Sequence, residues 1–207
     1  YRVYFYLLFF NISLSLTAQN FQLASNNKTI TCNGVSVGST GAVNGKTYTK
    51  VDRGTLVTMI TNGDDLSCVC TSGITNMASL FNSKNTTYDI SSWDTSDVTN
   101  MQGMFQNSGS LANSDPGYWD VSSLQDQNSV NNMFDGTDMT ADLSYWCFPS
   151  RIPTMNSNNY WGNNSAYRNN SSIRPRWYNN CRTPKTAAPP SGSNSPATLA
   201  ITSNDSD

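Results

Sequence analysis

Ile74-Thr75-Asn76-Met77-Ala78-Ser79-Leu80-Phe81 returns as Val98-Thr99-Asn100-Met101-Gln102-Gly103-Met104-Phe105, and again, worn down, as Val130-Asn131-Asn132-Met133-Phe134. Between these blocks stand Asp89-Ile90-Ser91-Ser92-Trp93-Asp94, Tyr118-Trp119-Asp120-Val121 and Asp142-Leu143-Ser144-Tyr145-Trp146. The tryptophans Trp93, Trp119 and Trp146 lie 26 and 27 residues apart. A fixed period of this size marks a solenoid, in which each unit buries its apolar side only against its neighbours. The expected fold class is an α/β repeat solenoid, a short stack of about three coils over 66–148.

Within each unit, Ile90 and Trp93 belong to a short extended piece whose parallel copies ladder from coil to coil. Thr99 or Asp97 caps a helical turn carrying Met101, Met104 and Phe105 at i, i+3 and i+4, on one face. The expected core is Met77, Leu80, Phe81, Ile90, Trp93, Val98, Met101, Met104, Phe105, Trp119, Val121, Met133, Phe134, Leu143 and Trp146. Thioether sulfur ligates soft metals, but helical spacing and the use of Met as a gap-filler already account for these methionines. Asp64-Asp65 and Asp135, Asp138 and Asp142 lack the alternating acidic loop of a calcium site and read as turn residues.

On the N-terminal side, alternation through Thr29-Ile30-Thr31-Cys32 and around Tyr48, with the turn signal Asn44-Gly45, predicts a small antiparallel hairpin. Asp52 is placed to cap a helix over 53–61 that ends at Asn62-Gly63. Residues 19–65 thus form an N-terminal cap of hairpin plus helix. Residues 1–18 have the shape of a secretory signal peptide, an early Arg2 followed by an apolar run and small residues. On the C-terminal side, 149–183 is expected to cap the last coil. Residues 184–207, rich in Pro, Ser and Thr, read as a flexible tail.

Composition narrows the function. The 207 residues carry a formal net charge of -2, with no His and no Glu. No basic run is present to capture nucleic acid, and no stable membrane insertion of the mature chain is expected. The commonest proton-transfer groups and metal ligand are missing. No catalytic residue, metal site or cofactor is therefore assigned, and the chain reads as a non-enzyme.

Five cysteines in a chain marked for secretion read as disulfides. Cys32 is paired with Cys70 and Cys147 with Cys181, since the ends of a solenoid expose core and need capping. Each bond closes a loop of roughly 35 residues and contributes about 3–4 kcal/mol in the chain-entropy account. Cys68 lies two residues from Cys70 and faces the same way on a strand, so either is a candidate partner for Cys32. The one left over is free or links two chains. Acceptor sequons for N-glycosylation stand at Asn27, Asn85, Asn163, Asn169, Asn170 and Asn204. Tyr160-Trp161 and Trp177-Tyr178 are candidate binding aromatics, with packing over the last coil the competing reading.

The text Ile74–Phe81 and Asp89–Phe105, above all Ser91-Ser92-Trp93-Asp94-Thr95-Ser96-Asp97-Val98-Thr99-Asn100-Met101 with its following Met-Phe, closely resembles the BspA-type surface-protein repeat. That family occurs in bacterial surface proteins, mycoplasma lipoproteins and some protists. The resemblance implies a leucine-rich-repeat-like solenoid and a role in adhesion, and it carries no catalytic residue. The expected function is a secreted or cell-surface adhesion module whose partner is a protein or glycan on a cell surface or matrix. The alternative is a structural subunit of an extracellular fibre or coat, self-assembling through the solenoid ends and the C-terminal tail.

Overall fold

The structure is a computed structural model and describes residues 21–85, 87–109, 113–152, 163 and 165–190. The candidate signal segment, Tyr160, Trp161 and Asn204 lie outside the described residues.

Strands β1 (Gln22–Leu23) and β2 (Ile30–Thr31) pair antiparallel. Strands β3 (Thr40–Val43) and β4 (Lys46–Lys50) form the hairpin, turning through Asn44 and Gly45, both at positive φ. Two adjacent left-handed residues match the twist of a two-residue hairpin. The partner of the Tyr48 strand is therefore 40–43; the segment around Ile30 pairs with β1 instead. Helix α1 (Arg53–Asn62) begins where the Asp52 carboxylate accepts the Thr55 N–H at 2.7 Å and ends on left-handed Gly63. Strand β5 (Val69–Cys70) lies parallel to β4. At the far end β6 (Cys147–Phe148) runs parallel to β7 (Arg176–Trp177), with α2 (Ser165–Asn169) between them in sequence.

The expected α/β leucine-rich-repeat-like solenoid is not what forms. Helix is confined to α1 and α2 among the described residues, and the strands make three small, separate sheets. The described residues of 71–146 hold turns, two 3-10 turns (Pro116–Tyr118 and Gln127–Val130) and one isolated bridge, Asn76 to Asn100. The chain is a small mixed α/β domain. The physical reason lies in how the backbone N–H groups are used. Those of Met77, Ser79, Phe81 and Ser83 donate to the carbonyls of Asn100, Gln102, Met104 and Gln106. Those of Leu80, Asn82 and Lys84 donate three residues back, to Met77, Ser79 and Phe81. Alternate residues thus serve a neighbour and a local turn, so neither an α-helix nor a continuous ladder forms. Left-handed residues recur four apart, at Ser79 and Ser83, Gly103 and Asn107, Asn132 and Gly136, and each interrupts helical propagation. Asp97 and Thr99 do not cap a helix. The Asp97 carboxylate accepts the Gly73 N–H, and the Thr99 hydroxyl donates to the Thr75 carbonyl.

All the residues proposed for the core are buried. Phe81, Phe105 and Phe134 lie 5.6 and 5.8 Å apart between ring centres, and Trp93, Trp119 and Trp146 lie 6.1 and 6.2 Å apart. Each indole N–H also finds a buried carbonyl: Trp93 donates to Leu66, Trp119 to Ile90 and Trp146 to Pro116. Tyr167, Phe148 and Trp177 close the far end of this aromatic core. A smaller cluster, built on Phe21, Ile30, Val43, Tyr48 and the Cys32–Cys70 pair, closes the other.

Candidate functional site

Asp-x-Ser is the local unit that shapes the surface. Asp94, Asp120 and Asp142 each accept the backbone N–H of the serine two residues on, at 3.1, 2.9 and 2.9 Å. Asp89 does the same for Ser91. In all four of these Asx turns the middle residue is buried: Ile90, Thr95, Val121 and Leu143. Two of the turns bring the carboxylates and hydroxyls of Asp94, Ser96, Asp120 and Ser122 to one side of the domain. Threonine bridges adjacent turns: the Thr71 hydroxyl donates to the Asp94 carbonyl and that of Thr95 to the Asp120 carbonyl, both at 2.8 Å.

Against this row lies the tip of the β1–β2 hairpin. Its turn is tied by the Asn26 side chain, which accepts the N–H groups of Lys28 and Thr29 and donates to the Tyr118 carbonyl. The Ile30 N–H donates to the Ser92 carbonyl, and Lys28 pairs with Asp89 at 3.1 Å. Burial raises the Asp89 carboxyl, but hydrogen bonds from Ser91 and the Lys28 ammonium outweigh it and hold the group below its ordinary value. The third wall is the segment after Cys181. Arg182 donates to the Ser144 hydroxyl and sits over the Tyr145 ring. Lys185 pairs with Asp115, and the Ala187 N–H donates to the Asn26 carbonyl at 2.8 Å. Between the three walls is a groove of about 530 Å³ lined by Asn26, Thr31, Asp120, Ser122, Tyr118 and Tyr145, among others. Residues 55–172 match the family described as Mycoplasma protein of unknown function, DUF285. The chain belongs to that family. No curated protein and no solved structure matches.

The DUF285 segment covers more than half of the chain and supplies the Asp-x-Ser wall with both tyrosines. The hairpin tip at 24–31 and the segment from Arg182 stand outside it. What the groove offers chemically is a dense set of hydroxyl, amide and carboxylate groups beside two phenol rings. Among the described residues, no group of three or more His, Cys, Asp or Glu is placed to hold a metal ion, and no helix is long and apolar enough to cross a membrane.

The sites named from sequence are dispersed. Disulfides join Cys32 to Cys70 and Cys147 to Cys181, and Cys68 carries a free, half-buried thiol. The two bonds fit an extracellular or surface protein. Asn85, Asn163, Asn169 and Asn170 are exposed. Asn27 is half-buried, and its Nδ2 donates to the Ala187 carbonyl at 3.1 Å. Trp177 packs edge-on against Phe148, whereas Tyr178 is 62% exposed. Neither lines the groove. Of the segment expected to be a flexible tail, Lys185 and Ala187 are docked. The groove residues were missed because the Asp-x-Ser period was read only for its apolar middle; the recurring Asp two before Ser was the available signal.

Proposed function

We propose that this chain is an extracellular binding module of the BspA type that takes a protein or glycan ligand in the groove beside Tyr118 and Tyr145. The groove carries the reading: it is large enough to enclose part of a ligand, and polar groups converge there on aromatic rings. Disulfides and exposed sequons accord with an extracellular setting. The test applies the labelled full chain to glycan and surface-protein arrays, alongside Tyr118→Ala, Tyr145→Ala and, outside the groove, Tyr178→Ala. Loss of about tenfold or more in affinity is expected for the two groove variants and little change for the third, as truncation at a binding hot spot requires. Equal binding by all four proteins sinks the proposal.

A further inference from the structure

The groove already holds part of this chain. Lys185 projects from the segment that follows the Cys147–Cys181 disulfide, its ammonium paired with the Asp115 carboxylate. The same ammonium lies 4.8 Å from the centre of the Tyr118 ring and 5.5 Å from that of Tyr145. One carboxylate and two aromatic faces make a cage for a primary ammonium, since the ring quadrupoles attract a cation and the carboxylate accepts its hydrogen bond. Two residues on, the backbone is clamped from both sides. The Ala187 N–H donates to the Asn26 carbonyl at 2.8 Å, and its carbonyl accepts from Asn27 Nδ2 at 3.1 Å. A side-chain cage and a main-chain clamp two residues apart are the two halves of extended-peptide recognition.

We infer that this cage and clamp form a binding site for a lysine-bearing extended peptide with a small residue two positions after the lysine, and that residues 182–187 occupy it in cis as a resident competitor. The inference deepens the surface-binding reading and rests on it for the choice of groove. Asp115 Oδ1 accepts the N–H of Gly117 two residues on, a local turn that orients the carboxylate independently of Lys185. Cys181 anchors the competitor four residues before Lys185. So short a tether presents the lysine to its cage at an effective concentration on the order of millimolar. An outside peptide therefore binds only in proportion to the time the strap spends undocked. A strap docked about nine-tenths of the time weakens the apparent affinity about tenfold.

The experiment uses the full chain and a fluorescent peptide of residues 182–190, read by anisotropy, with norleucine replacing the lysine in a control peptide. Lys185→Ala empties the cage. Asp115→Asn, added to it, removes the charge while leaving an acceptor for the Gly117 N–H. The peptide is expected to bind Lys185→Ala at least about tenfold more tightly than the unaltered chain, to lose that binding in the double variant, and to fail with norleucine. No binding to Lys185→Ala, or equal binding of the norleucine peptide, overturns the inference. Amide exchange supplies a second measurement on the unaltered chain: Ala187 must be protected there, and free exchange removes the docked strap. Array binding lost while the caged peptide still binds removes the surface-binding reading alone. Array binding kept while the peptide fails removes the cage alone.

Discussion

Trp119 shows how a single side chain serves both the core and the backbone. Its ring lies between those of Trp93 and Trp146, and its N–H satisfies the Ile90 carbonyl. Trp119→Phe keeps apolar contact but removes one of two donors to that carbonyl, the Trp93 N–H remaining on it, so a loss of about 0.5–1.5 kcal/mol is expected. Trp119→Ala adds a cavity and is expected to cost about 3–5 kcal/mol. Urea midpoints of the two variants check the order: equal losses would contradict the packing role of the ring, and no loss in Trp119→Phe the role given to the indole N–H. Charge at Asp89 makes a separate prediction. Its carboxyl is held below the ordinary value, so its contribution is present above the unfolded-state pKa of about 3.9 and is lost as pH falls through the lower, folded value. Between pH 6 and 3 the unaltered chain should lose more stability than Asp89→Asn, measured as urea midpoint against pH. Parallel curves would contradict the pairing with Lys28. At this scale the sequence was readable where one residue has one use. Asn44-Gly45 and Asp52 stood out because turn and cap chemistry is local. Asp94 did not, because the use of its carboxylate depends on Ser72, 22 residues back, as well as on Ser96.

Elements are where sequence reasoning went astray, and the cause is specific. Met101, Met104 and Phe105 have helical spacing and all are buried, yet the backbone beneath them is a chain of turns. The N–H groups of Met101, Gly103, Phe105 and Asn107 leave for the carbonyls of Ser129, Asn131, Met133 and Asp135. Apolar spacing reports which side chains face inward and is silent about the partners of the backbone. The clue lay in the polar residues: Ser, Asn or Gly at the left-handed positions, where a β-branched residue would be strained. Gly136 tests this. It sits at φ +67, and an added Cβ would come within 2.3 Å of Asn107 Oδ1. Gly136→Ala should therefore destabilise by about 1–3 kcal/mol, the range for a strained backbone position. Gly34 has a similar φ of +72 but nothing within 4 Å of the added carbon. Gly34→Ala carries the backbone strain without the clash and should cost less. Thermal melts of the two variants give the comparison, and the reverse order would remove the contact between the 132–136 turn and Asn107 from the account.

Across the whole molecule, the two disulfides hold opposite ends and are protected unequally. Cys32 and Cys70 are fully buried within the small cluster, beneath Ser72, whose hydroxyl accepts the Cys32 N–H. Cys147 and Cys181 are half-buried, and the bond between them anchors the segment that lines the groove. Thiol exchange requires a thiolate to reach a sulfur, so access sets the order of reduction. Under mild reductant at neutral pH, alkylation should mark Cys147 and Cys181 well before Cys32 and Cys70, read by peptide mass mapping in native conditions. Once the outer bond opens, the last fixed point before Lys185 is β7, with the Tyr178 N–H on the Phe148 carbonyl, so the strap is tethered more loosely while the Lys185 cage remains. Burial lowers the Lys185 ammonium, but the hydrogen bond and charge of Asp115 prevail and raise it above the ordinary lysine value. That contribution is complete below the unfolded-state pKa of about 10.4 and is lost only as pH rises through the folded value, so it persists at the pH of the experiment. The singly reduced protein should thus keep the aromatic core and its melting transition largely intact, yet bind the 182–190 peptide more tightly than the oxidised chain. A longer tether lowers the effective concentration at which the resident strap competes. If reduction of Cys147–Cys181 leaves peptide affinity unchanged while Lys185→Ala raises it, the strap is held by its own contacts rather than by the disulfide. If Cys32 and Cys70 are alkylated first, the small cluster opens more readily than its burial implies.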